Sequence, residues 1–130
     1  MDIVEQRLAE VGLSLPQVPA PVAAYIPAKQ GANLVFTSGQ LPMLNGALIA
    51  TGSLGVDVSE DVAVECAKQC ALNAIAAIKQ VVGDLAKVTR VVKVVGFVAS
   101  DPTFTNQPVI MNGASSVIAQ AFGEVGSHAR

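Results

Sequence analysis

The sequence contains no tryptophan, one tyrosine (Tyr25), one histidine (His128) and two cysteines (Cys66 and Cys70). Charge is scarce as well: 14% of residues are Asp, Glu, Lys or Arg, against roughly 25% in an average globular domain. Each shortage excludes something. A nucleic-acid surface needs a basic stripe, often with stacking aromatics. The net charge is −2 and the Lys and Arg residues are scattered singly, so no nucleic-acid partner is expected. A zinc centre takes four N or S ligands, or three and a water. Two cysteines one helical turn apart and a distant histidine do not supply them, so no metal is expected and the thiols read as small packing groups. His128 has no sequence neighbours that make a catalytic triad and reads as a surface-loop histidine. No P-loop or dinucleotide fingerprint occurs, since Gly52-Ser53-Leu54-Gly55 has too few glycines and lacks the strand–helix context. No apolar run reaches the ~18 residues of a membrane helix. Free thiols and a charged start at Asp2, unlike a signal peptide, predict a cytoplasmic protein with no membrane partner.

What is present is apolar. Of the 130 residues, 52% are hydrophobic, which fits one domain with a real core. So few charges leave little to cover a monomer, and a homo-oligomer is expected. Asp2 and Glu5 have the spacing of a capping box, and Ile3, Val4, Leu8 and Val11 follow at helical intervals, predicting a helix over 2–12 ended by Gly12. Pro16, Pro19 and Pro21 make an extended connector. Two strands, 24–30 and 34–40, flank the turn Gly31-Ala32-Asn33 as a hairpin. Asn45-Gly46 is a further turn, and 51–58 a loop. Ser59 caps a long helix to about Val82, stopped by Gly83. Its expected inner face is small: Ala63, Cys66, Ala67, Cys70, Ala74, Ala77, Ile78 and Val81, with Glu65, Lys68 and Lys79 in water. Val88 to Ala99 is the most strand-like stretch. Being apolar on both faces, it is expected to be covered on both, one by helices and the other by a second subunit. A last helix begins near Asn106 and Pro108 and ends at Gly123, with Asn112-Gly113 inside it.

One stretch does not fit a plain core strand. Leu34-Val35-Phe36 runs into Thr37-Ser38-Gly39-Gln40-Leu41-Pro42, a hydroxyl pair and a glycine at the end of an apolar run. It reads either as a strand end with turn chemistry or as a wall that another backbone or a ligand approaches. Tyr25, Ser38, Asn112 and Arg130 are the polar candidates for a site. An arginine among small residues is either an exposed loop residue or a two-pronged carboxylate clamp.

Four separated pieces together resemble the RidA/YjgF family of enamine/imine deaminases: Tyr25, Thr37-Ser38-Gly39-Gln40-Leu41-Pro42, Asn112 within the last helix, and His128-Ala129-Arg130. Arg90 to Val98 also resembles that family's central strand. The likeness covers about residues 22–130, and the N-terminal helix with the loop 51–58 points to a longer, YjgF-like subgroup. The resemblance implies a single-domain, chorismate-mutase-like α+β fold. Its mixed sheet has two main helices packed on one face, and three copies form a homotrimeric barrel with clefts between subunits. It also implies hydrolysis of 2-aminoacrylate-type enamines and imines to 2-keto acids and ammonia, without metal or organic cofactor. In that scheme Arg130 holds the substrate carboxylate, and Ser38 and Gly39 line the pocket and contact substrate or water. Tyr25 closes over the site, and Asn112 shapes it, on the same or an adjacent subunit. Family members continue past this arginine with further strands, so more chain is expected after Arg130. Two other functions are compatible with the same pocket: a non-catalytic trimer that binds small 2-keto acids, and an endoribonuclease, against which the acidic balance argues.

Overall fold

The computed structural model describes residues 1–130. The chain opens with helix α1, Ile3–Ala9, and its start is the capping box expected from the sequence. The Glu5 N–H donates to Asp2 Oδ1 at 3.0 Å, and the Asp2 N–H donates to Glu5 Oε2 at 2.8 Å. Val4 and Leu8 turn inward and are fully buried. The helix is one turn shorter than predicted; Gly12, at φ +76°, reverses the chain and the Leu13 N–H closes back on the Leu8 carbonyl.

Lys79, expected in water, instead fastens this helix to the body. Its ammonium lies 2.7 Å from Glu5 Oε2 and 3.3 Å from Asp2 Oδ2. Burial alone raises the Asp2 pKa, but the Glu5 and Leu85 backbone N–H groups and the Lys79 ammonium outweigh it and hold the carboxyl below its ordinary value. The Lys79 hydrogen bond and the Asp2 N–H hold Glu5 low in the same way, and the two carboxylates raise Lys79.

After a proline-rich connector the chain forms an antiparallel hairpin of β1, Ala28–Gly31, and β2, Leu34–Thr37. Ala32, at φ +52°, sits at its tip. A smaller hairpin pairs β3, Met43–Leu44, with β4, Ala47–Leu48. Its turn residues Asn45 and Gly46 both have positive φ, as a type I′ turn requires.

Helix α2, Glu60–Val82, starts where the Val62 N–H meets the Ser59 hydroxyl and stops at Gly83. It is buried more widely than its small-residue face suggested. Leu72, Ile75 and Ala76 are buried too, and so are Gln69 and Asn73, two polar residues. Cys66 and Cys70 are free and half-buried. Burial pushes the Cys70 thiol up to about 11 and raises Cys66 as well, so both act as packing groups at neutral pH.

Helix α3, Gln107–Phe122, packs along α2. Gly113 permits this: a Cβ there would lie 2.6 Å from the Val64 carbonyl oxygen. The glycine inside the helix therefore has a packing reason. Ile110, Val117, Ile118, Ala121 and Phe122 complete the core with Leu54, Leu72, Ile75 and Leu85.

The expected single mixed sheet is not what forms. The structure has two two-stranded antiparallel sheets and a few isolated parallel bridges. Residues 88–99 run extended without becoming a regular strand. Lys93 bridges Ala129, Ser100 bridges Leu54, and no ladder joins this segment to β1 or β2. Its neighbour comes straight out of the 3-10 turn Gly123–Gly126, so the two lie side by side for a single bridge. Within the chain Val91, Val94 and Val98 pack against the core, while Val92, Val95 and Phe97 are exposed, so the packed residues do not follow the alternation of a single strand face.

Candidate functional site

The sequence candidates fall into two groups at different places. Tyr25 and Gly39 line one pocket, with Pro27, Gln40, Leu41 and Met43 among its walls. Arg130 lies on another, open groove between residues 93–99 and the first turns of α3, and Asn112 is bonded to it. Neither Asn112 nor Arg130 lines the first pocket, and neither Tyr25 nor Gly39 lines the groove.

The hairpin group is held by backbone bonds. The Ser38 N–H donates to the Pro27 carbonyl at 2.7 Å, and the Ser38 hydroxyl donates to the Ile26 carbonyl at 2.6 Å. Its single hydrogen is thereby committed, and only its oxygen lone pairs remain for a ligand. Next to it, the Gly39 N–H makes no hydrogen bond within the chain. Nothing inside the chain demands glycine here: a Cβ at position 39 would meet no atom within 4 Å.

Sequence reasoning missed what supports this wall. Asn73, fully buried on α2, donates from Nδ2 to the Leu41 and Met43 carbonyls, both at 3.0 Å. Gln69 donates to Asn73 Oδ1 at 3.0 Å, so the buried amide is fully used. The available signal was an Asn and a Gln four apart inside an apolar helix, where buried amides must find partners.

The arginine group is held by side chains of one helix. Arg130 Nη1 donates to Asn112 Oδ1 at 2.9 Å and to Ser115 Oγ at 3.2 Å, and Nη2 donates to the Pro108 carbonyl at 2.9 Å. Positions 108, 112 and 115 form one stripe along α3, at the spacing of neighbours on a helix face. Of the five guanidinium hydrogens, these bonds use three, leaving Nε–H and one Nη2–H. His128 is not the free loop residue expected. It is half-buried, with Nε2 at 2.8 Å from Ser115 Oγ and Nδ1 at 2.6 Å from the Gly126 carbonyl.

A three-helix α+β chain with a Ser-Gly-Gln hairpin end and an arginine braced by an asparagine defines a recognisable class. The sequence profile described as "YjgF/chorismate mutase-like, putative endoribonuclease" matches residues 5–130, and the chain belongs to this family. It is 38% identical over 128 residues to Protein TCP17 of Trypanosoma cruzi, covering 98% of this chain and 80% of that protein. Among solved structures, Atu1372 of Agrobacterium tumefaciens, a protein described as of unknown function, superposes with a TM-score of 0.89 at 44% identity. That match covers 98% of this chain and 78% of the other. A protein described as a putative endoribonuclease from Shewanella oneidensis MR-1 superposes at 0.88 with 32% identity, covering 98% and 84%. No helix is long and apolar enough to cross a membrane.

Proposed function

We propose that the protein hydrolyses reactive enamines and imines of the 2-aminoacrylate type to 2-keto acids and ammonia, in sites shared between copies of the chain. The observation that carries this reading is Arg130. Three acceptors of α3 hold its guanidinium, and two N–H groups remain for a carboxylate. The sharing between copies is supported by the separation of the two groups and by Gly39, whose backbone is open to approach from outside its own chain. Exposed apolar side chains agree with it: Phe97 is 94% exposed, and Phe36 and Val95 are each 63% exposed. Monomers seldom leave such residues uncovered in a group. The arrangement we favour is a homotrimer.

The chemistry asks little of the protein. The enamine tautomerises to the imine, water adds to C2, and the resulting carbinolamine expels ammonia to leave the ketone. Arg130 holds the carboxylate and so fixes where C2 lies. The Gly39 N–H donates to the substrate or the water. Ser38, its hydrogen already given to Ile26, accepts from the imine nitrogen or the water. Tyr25 closes the pocket, and Asn112 acts through Arg130.

The test is ammonia release from freshly generated 2-aminoacrylate, compared between the wild type and Arg130→Ala. Loss of release in the variant supports the reading, and equal rates overturn it. Saturable binding of a 2-keto acid with no release would instead indicate a non-catalytic binder. The names of the family profile and of the Shewanella protein favour a second reading, RNA cleavage. Eight basic against ten acidic residues argue against it. Cleavage by highly purified protein, lost on changing a pocket residue, would reverse that judgement.

A further inference from the structure

His128 carries no role in the scheme above, yet with Ser115 it forms a chain of hydrogen bonds that ends on Arg130. A carbonyl oxygen only accepts, so the 2.6 Å contact to Gly126 places a hydrogen on His128 Nδ1. In the neutral ring Nε2 then presents a lone pair to Ser115, and the hydroxyl gives its one hydrogen there. What faces Arg130 from Ser115 is therefore oxygen lone pairs only, and Nη1 donates to them. Every bond runs the same way: Arg130 to Ser115, Ser115 to His128, His128 to the Gly126 backbone. At the far end Gly126 packs close on α3: a Cβ there would lie 2.8 Å from the Ile118 carbonyl oxygen. A serine without His128 would be free to rotate and turn its hydrogen towards the guanidinium.

We propose that Ser115 and His128 are positioning residues for Arg130. His128 fixes the Ser115 hydroxyl as an acceptor, and Ser115 with Asn112 fixes the guanidinium plane, so that the two remaining N–H groups face a ligand carboxylate. The proposal rests on the reading of Arg130 as the carboxylate clamp, but part of it is measurable without any ligand. Rotation about the Arg130 Cζ–Nη1 bond, read by nitrogen-15 NMR of the full chain, is slow in the wild type. It speeds up in Ser115→Ala and in His128→Phe, and stays slow in Ser115→Thr, which keeps the hydroxyl. The His128 ring shows the hydrogen on Nδ1. Titration with 2-oxobutanoate and with its neutral amide adds the second reading. Ser115→Ala weakens binding of the acid about tenfold, as expected for losing one hydrogen bond to a charged group, and leaves the amide unchanged. In an Arg130→Ala background the same substitution has no further effect. A merely structural role would weaken acid and amide alike and would not be rescued by threonine. The proposal is overturned by Arg130 rotation equal in wild type and Ser115→Ala, by a hydrogen on Nε2, or by equal losses for acid and amide. Absence of ammonia release from the wild type would sink the deaminase reading while the NMR comparison still decided this one.

Discussion

Arg130 and Gly39 present opposite kinds of surface. Around Arg130, two side chains and one carbonyl of α3 hold a side chain, and the groups left over carry a full positive charge. Around Gly39, the Ser38 N–H and hydroxyl and the Asn73 amide hold backbone carbonyls, and what is left over is a bare peptide N–H beside serine lone pairs. The first region can select by charge and orientation. The second can select only by shape and by a single hydrogen bond. The carboxylate-bearing substrate proposed above would use both: the charged end braced by three acceptors and the other end left open.

The substitutions that break this contrast differ in size. Arg130→Ala removes the charge; ammonia release should fall at least about a hundredfold, matching the loss of two charge-assisted hydrogen bonds. Arg130→Lys should recover little of it, because an ammonium does not reproduce the fork. Next comes the support of the hairpin wall. Asn73→Leu takes the partner from the part-buried Leu41 and Met43 carbonyls and from the buried Gln69 amide. Denaturant unfolding should show a loss of about 2–4 kcal/mol, and an unchanged midpoint would mean that these carbonyls find water. Gly113→Ala sharpens the other side, because it pushes α3, which carries all three Arg130 acceptors, off the Val64 carbonyl. Overpacking of this kind costs about 1–3 kcal/mol, offset by about 1 kcal/mol of helix propensity. A net loss of stability with weaker carboxylate binding is expected.

The smallest effect lies at the N-terminus. Asp2 and Glu5 have lowered pKa values in the folded chain. Their contribution is complete above the ordinary carboxylate pKa values and disappears as pH falls through the lowered, folded ones. The thermal unfolding temperature should therefore fall on acidification below about pH 4. In Asp2→Asn, which keeps an N-cap but loses the carboxylate, that acid dependence should be shallower. An identical slope in both proteins would show that the Asp2 carboxylate contributes nothing to the acid dependence.

What was legible in the sequence follows the same contrast. Local chemistry read well. The Asp2–Glu5 box, the Ser59 cap, the Asn45-Gly46 turn and the stops at Gly83 and Gly123 each depend on residues a few positions apart. Long-range polar partners did not. Asn73 meets Leu41 and Met43 about thirty positions away, and His128 meets Ser115 from the far side of a turn. Neither partner is marked by any spacing in the chain. Residues 88–99 failed for a different reason. Their β-branched composition specifies extended backbone, but a ladder also needs a neighbour in register, and composition says nothing about the neighbour.

The most direct test of a site shared between copies is complementation. Gly39→Val blocks the hairpin wall, and its Cβ meets no atom of its own chain within 4 Å; Arg130→Ala removes the clamp. Each variant alone should release almost no ammonia from 2-aminoacrylate. Co-expressed and purified as mixed assemblies, they should recover about a quarter of wild-type activity, because random association pairs an intact wall with an intact arginine at that share of interfaces. Mixed assemblies as inactive as either variant alone would contradict a site built from two copies.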